Sequence, residues 1–523
     1  MGLCLSFLLA MPAEAKKKKE VPPVKKEVRT PARQGLFNVQ YWKDKYYFQI
    51  PDSLLGRLFM VTTRFVSTPV DAGFYGGELA NEHVIYFEKN GKQMLLRAKM
   101  YDVSADSTNA IYKAVLNSTE DPIMASVKID STVTATNGSK LYSIDVTNWF
   151  NGDHSVFSLS SIAKDRIGVS AILKDLSYIN YIHTFPINTE IVTTKTYSGK
   201  SSSKVPAARI AGNVTLKTNT SFVLLPQEPM RARTFDPRVG YFTEEFAEFN
   251  DQQQNVKRRK VITRWRLVPK DVEAYKRGKL VEPEKPIVFY IDPATPKQWR
   301  KYLIQGVEDW NKAFEVAGFK NAIRAYEWPN DSTMSLEDAR YSVIRYLASD
   351  IPNAYGPHVS DPRSGEIIES HVGWYHNVMS ILHGWYQVQA GIVDARARKP
   401  KFDEELMGQL IRFVSSHEIG HTLGLRHNKG ASWATPVDSL RNKAWVEKYG
   451  HTASIMDYAR FNYVAQPEDN ISEAGIFPRI NDYDEWAINW GYRYFPDAQS
   501  EEEERLILNK LTIAQLAKSQ RYW

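Results

Sequence analysis

Between positions 417 and 427 the sequence reads His-Glu-Ile-Gly-His-Thr-Leu-Gly-Leu-Arg-His, which sets three histidines and a glutamate close together. In a helix, His417 and His421 stand one turn apart on one face, so both imidazoles can reach a single ion. Glu418 lies about 100° round the helix, near enough to touch a water on that ion without ligating it. Gly424 can take a positive φ, which lets the chain leave the helix and turn sharply back. His427, three residues on, then supplies a third ligand. Cys4 is the sole cysteine, so neither a thiolate zinc site nor a disulfide framework can be built. Three neutral nitrogens leave the fourth position of a tetrahedral Zn2+ to water, the arrangement of a catalytic rather than a structural site. With 11 His in 523 residues, this pattern arises by chance in roughly two of 100,000 such chains if positions are independent. Coincidence is a poor explanation.

The elements that must position these groups are legible around them. Leu406, Leu410, Phe413 and Val414 share one face from Asp403 to Leu423, which predicts a long helix carrying the motif at its C-terminal end. Upstream, 287–291 (IVFYI) reads as a buried strand, 293–318 as a helix with a Trp299, Leu303, Val307, Trp310, Phe314 stripe, and 341–347 and 365–372 as further strands. Strand, helix, strand, strand predicts a mixed sheet with a crossover helix. A later helix is expected to start near Asp482, with Asp482 and Glu485 as a capping box.

With these residues in place, the sequence resembles the metzincin clan of zinc endopeptidases, whose extended zinc motif it matches at every fixed position from His417 to His427. Ser454-Ile455-Met456-Asp457-Tyr458 resembles the clan's Met-turn, with Met456 placed 29 residues after His427. The resemblance spans about 282–495. It implies an α+β catalytic fold, a mixed sheet with a long active-site helix, in which Met456 floors the three imidazoles. It also implies that Tyr458 swings between the metal and the transition state. The implied reaction is hydrolysis of protein or peptide substrates by a metal-activated water, with Glu418 as general base and the substrate paired along an edge strand, here expected at 366–372. The whole text is similar to large exported bacterial metzincins whose N-terminal β-rich modules have no assigned role. Asn428 departs from the acidic or Ser residues common after the third ligand in better-known groups.

The front half reads differently. From Leu36 to about Leu225, short alternating runs at 46–50, 58–66, 83–89, 94–101 and 123–130 are separated by Gly, Asn, Asp and Pro, which predicts antiparallel β structure. Phe150-Asn151-Gly152-Asp153 is similar to a segment whose Asp caps zinc in some metzincin zymogens, but a simple turn is the plainer reading. A cysteine switch is excluded, since no Cys follows Cys4. Residues 1–15 read as a secretory signal, with an apolar run from Leu3 to Met11 and Ala13-Glu14-Ala15 as a small-x-small cleavage pattern. Gly2 with Ser6, and Cys4, also admit a lipid anchor.

The expected organisation is therefore a signal peptide at 1–15, a basic Pro-containing linker at 16–35, a β-rich region of one or two modules at 36–275, a zinc protease domain at 276–500, and at 501–523 the start of a further helical segment of a longer chain. The product is expected to be exported, whether periplasmic, cell-surface or secreted. No stretch approaches 18 apolar residues, so no transmembrane span is expected. The net charge of +7 does not announce nucleic acid: residues 16–33 hold eight basic residues against two acidic ones, and the rest is almost neutral. No oligomeric state follows from these patterns. The alternative function is a non-catalytic surface-binding protein with a structural zinc site, against which Glu418 speaks, because a structural site needs no carboxylate beside its metal. A hydrolase of non-peptide amides would use the same zinc site.

Overall fold

Alternation of apolar and polar residues between Asn38 and Leu224 builds one antiparallel sheet, which runs Asn38–Trp42, Lys45–Pro51, Lys140–Asp145, Ile123–Thr134, Gln93–Ala98, Leu79–Asn90, Phe59–Ser67, Asn213–Leu224, Asn188–Gly199 and Tyr178–Thr184. In this computed structural model, which describes residues 31–101, 103–135 and 138–523, the two ends of the sheet meet. Leu36 N donates to Phe185 O at 2.7 Å and Thr184 Oγ1 to Phe37 O at 2.9 Å, so the sheet closes like a barrel. Its interior is aromatic: Phe37 sits 5.1–5.6 Å from the rings of Phe48, Phe59, Phe87 and Phe222. The signal expected at 1–15, and residues 16–30 of the expected linker, lie outside the described residues.

Part of the outer barrel face is also buried. Met60, Val84, Val223 and Leu225 pack with Ala339 and Val359 of the C-terminal half, so the period-two pattern fades where the two halves touch. Phe150-Asn151-Gly152-Asp153 closes the short helix Thr147–Asn151 within the barrel. Asp153 pairs there with Lys164 at 2.6 Å, and the carbonyls of Phe150 and Gly152 accept from Lys195.

The C-terminal half is a five-stranded sheet, ordered Ile323–Glu327, Ile287–Ile291, Ser342–Leu347, His371–Tyr375 and Ala354–Tyr355. The first four strands are parallel and the last is antiparallel. The crossover expected as one helix over 293–318 is two, Lys297–Glu308 and Asn311–Val316. At the break, Trp310 Nε1 donates to Ser416 O of the long helix Glu404–Thr422 at 2.9 Å.

The edge strand expected at 366–372 requires correction. Glu366–Glu369 pairs with Val359–Asp361 in a separate two-stranded sheet, and His371–Tyr375 is interior. The cause is charge. Glu366 is held by Arg266 at 2.6 Å and Glu369 by Arg64 at 3.4 Å, Glu369 being only 2% exposed. The sheet's edges are Ile323–Glu327 and Ala354–Tyr355, and the latter shares a cavity with Glu418. Among the described residues no helix is long and apolar enough to cross a membrane.

Candidate active site

Asp403 caps the long helix by accepting from Leu406 N at 2.9 Å, and Glu404 and Glu405 in its first turn suit the helix dipole. Its apolar face is buried through Leu406, Leu410, Phe413 and Val414, which fixes the rotation of the helix and therefore the direction of His417 and His421. His417 Nδ1 donates to Ile455 O and His421 Nδ1 to Leu425 O, each at 2.8 Å. A carbonyl can only accept, so both rings carry their proton on Nδ1 and turn the Nε2 lone pair inward.

The third ring arrives by a turn. Gly424 has φ +91°, and a Cβ there would stand 2.0 Å from Thr263 O, so only glycine fits. The strand-like stretch around Tyr241 then clamps the outgoing chain: Phe242 N donates to Gly424 O at 2.8 Å and Arg426 N to Gly240 O at 2.9 Å. His427 Nε2 thereby comes within 3.1 Å of His417 Nε2 and 3.0 Å of His421 Nε2. Burial, reinforced by the neighbouring imidazoles, pushes His417 down to about 3. Burial likewise takes His421 to about 4 and lowers His427. Three converging neutral nitrogens are an excellent donor set for a divalent cation and a poor one for anything else. The residues fit zinc.

The Met-turn lies beneath. Asp484 Oδ1 accepts from Ser454 Oγ at 2.6 Å, and its Oδ2 accepts from Ile455 N at 2.8 Å and Asn481 N at 2.9 Å. Asp484 thus holds the residue whose carbonyl orients His417. Burial pushes its carboxyl up, to about 7, against those three bonds. The capping box expected at Asp482 and Glu485 is instead Asn481 with Asp484, and Glu485 pairs with Lys312 at 2.6 Å. The Asn-x-x-Asp pattern one residue earlier carried that signal. Met456 is fully buried beside Gly420.

Glu418 borders two cavities. One, of about 880 Å³, runs past the edge strand and includes Phe242, Tyr355, His358, His421, His427 and Lys429; the other, of about 220 Å³, lies between Trp385, Phe413, Val414 and Arg460. Burial pushes the Glu418 carboxyl up, to about 8, although the Gly356 N–H, just past the edge strand, donates to it. Tyr458 is 45% exposed, with its ring 4.3 Å from that of His427. Its hydroxyl makes no hydrogen bond among the described residues.

The remaining histidines stand apart from the cluster. His358 lines the larger cavity and is pushed down by burial to about 4. His371 lies on an interior strand, His376 bonds Tyr346 through Nδ1 at 2.7 Å, and His383 stacks on Phe402 at 4.0 Å. Sequence patterning did not reveal the contribution from before the catalytic half: Val239, Tyr241, Ile262 and Leu267 share the core of the long helix. Nor did it reveal Leu508 in that core, or Arg233, whose buried guanidinium pairs with Glu504 at 2.6 Å.

Residues 399–523 match a family model described as Met-zincin. Residues 77–270 and 24–68 match two domains of unknown function, DUF5117 and DUF5118. No curated protein and no solved structure matches the chain. Residues 399–523 are thus similar to the Met-zincin family, and the segments similar to DUF5117 and DUF5118 precede them.

Proposed function

We propose that the protein is a zinc endopeptidase. The carrying observation is the convergence of the His417, His421 and His427 Nε2 atoms, with Glu418 beside them in a cleft bounded by a free strand edge. The three imidazoles would hold the metal, which when bound polarises a scissile carbonyl and acidifies water. Glu418 takes the proton of the attacking water and passes it to the leaving amine. Its neighbour Gly356 holds the carboxylate toward the cleft. Tyr458, its hydroxyl unbonded among the described residues, donates to the oxyanion as charge develops. The edge Ala354–Tyr355 offers backbone groups to an extended peptide. Gly424 and Met456 keep the imidazoles in place.

The packing of residues 239–267 and of Leu508 onto the core of the long helix supports a catalytic unit wider than 276–500. The barrel then stands as a module of its own, a binding module or a prodomain, and the apolar leader supports export. Cleavage-site profiling on a peptide library, before and after chelation, tests the reading. Cleavage that stops with chelator and returns with zinc is expected. Undiminished cleavage in the metal-free protein contradicts it.

A further inference from the structure

Many cations of the C-terminal half have a carboxylate partner: Arg363 pairs with Asp361, Arg412 with Asp309 and Arg441 with Asp469, at 2.5–2.8 Å. Among those without one, three line the cavities beside Glu418. Arg426 and Lys429 face the larger one and Arg460 the smaller. No ion pair with an acidic group is made by any of them among the described residues.

Arg460 is the most constrained. It is a non-glycine residue at φ +56°, a left-handed backbone that is held only where the surroundings require it. Its guanidinium lies 4.0 Å over the Trp385 ring and 5.5 Å from that of Tyr458. Among the described residues its Nε is buried without a partner, and the one hydrogen bond of the guanidinium, from Nη1 to Tyr458 O, is long at 3.4 Å. A fork of five donors is thus fixed in place with almost all of its capacity unspent. Lys429 lies on the other flank of Tyr458, 5.4 Å from the ring.

No other carboxylate offsets these charges inside the cavities. Besides Glu418, they are lined only by Asp457, whose oxygens already accept from Ser432 N, Thr452 Oγ1 and Tyr458 N. Glu78 and Glu82 lie near Tyr355 but line neither cavity.

Resting on the peptidase reading, we propose that the substrates are acidic peptides, with carboxylate side chains on both sides of the cleaved bond. Arg460 is the specificity-determining residue of the smaller cavity. The apolar walls there, Val378, Ile381 and Phe413, suit the methylenes of a glutamate whose carboxylate meets the guanidinium. Arg426 and Lys429 attract acidic residues along the larger cleft, where cations concentrate the field.

The test is binding rather than turnover. Full-length zinc-loaded protein carrying Glu418→Gln is titrated, by fluorescence anisotropy, with one labelled peptide in three versions flanked by Glu, Gln or Lys. The Glu version is expected to bind about tenfold more tightly than the Gln version, and the Lys version most weakly. The spread should shrink as salt rises from about 0.05 to 0.5 M. Arg460→Gln should narrow the Glu-to-Gln ratio, and Arg460→Glu with Lys429→Glu should reverse the order, in proteins whose melting curves match the parent. Equal affinity for the Glu and Gln versions, or tightest binding of the Lys version, overturns the proposal. An order that survives Arg460→Gln and charge reversal overturns the assignment to Arg460. Parallel incubation of the parent with the same peptides separates the two ideas. Binding in the expected order without cleavage sinks the peptidase reading and leaves this one standing; cleavage without charge preference does the opposite.

Discussion

The sulfur of Met456 lies where a side chain on Gly420 would have to go: a Cβ there would stand 2.2 Å from Met456 Sδ and 2.8 Å from the Trp310 ring. The Met-turn and the zinc-motif helix therefore touch at a helical motif position that is neither ligand nor base yet tolerates no side chain. Gly420→Ala should cost about 2–3 kcal/mol through overpacking, despite alanine's better helix propensity. In a Met456→Ala background the same change should cost clearly less, because the main obstruction is gone. Denaturant melts of the four proteins measure the coupling, and additive costs would show that the two residues do not constrain each other.

Asp484 acts on His417 through Ile455, whose N–H it accepts and whose carbonyl takes the His417 Nδ1 proton. Asp484→Ala leaves Ser454 Oγ, Ile455 N and Asn481 N without their acceptor and should destabilise the fold by about 3 kcal/mol. Because the orientation of a ligand is lost, zinc affinity should also fall about 10- to 100-fold at temperatures where the variant is folded. Competition against a chromophoric chelator reads this directly. Unchanged affinity would confine Asp484 to a packing role.

The patterns that repeat over many residues were legible in the sequence. The alternating strands of the barrel and the long helix follow from periodicities of two and 3.6, and the spacing of His417, His421 and His427 foretold rings that meet. What stayed hidden was set by contacts remote in sequence. Glu366–Glu369 has the look of an edge strand, but Arg64 and Arg266 draw its glutamates inward. The edge beside Glu418, Ala354–Tyr355, is two residues long, too short to show any period. The clamp around Tyr241 on Gly424 joins residues far apart through backbone bonds, which leave little trace in side-chain pattern.

Tyr458 offers a kinetic test. Its hydroxyl makes no hydrogen bond among the described residues, so Tyr458→Phe should leave the melting temperature almost unchanged. If the hydroxyl donates only as charge develops, kcat should fall about 10²–10³-fold with little change in KM. Steady-state kinetics on a cleaved peptide decide the matter, and an unchanged kcat would retire the role.

Lys195 makes the barrel sensitive to pH. Its ammonium is buried and donates to Phe150 O, Gly152 O and Ser158 Oγ at 2.8–2.9 Å, and burial pushes its pKa down to about 7. Between that value and the ordinary one near 10.5, the unfolded chain holds a proton that the folded chain has released. The Lys195 contribution to stability should therefore rise with pH from about 7 upward and be smallest below it. Lys195→Met should flatten this rise in melting curves recorded from pH 6.5 to 9.5. A variant that follows the parent's slope would show that Lys195 does not titrate in this window.

The central claim is that His417, His421 and His427 hold zinc while Glu418 moves the proton, and one substitution bears on it most directly. Hydrolysis of a susceptible peptide should be compared between the parent and Glu418→Gln, each with its zinc content determined on the same sample. The account predicts one zinc per chain in both proteins and a rate at least about 10²–10⁴-fold lower in the variant. A zinc-loaded Glu418→Gln that cleaves the peptide as fast as the parent would contradict it.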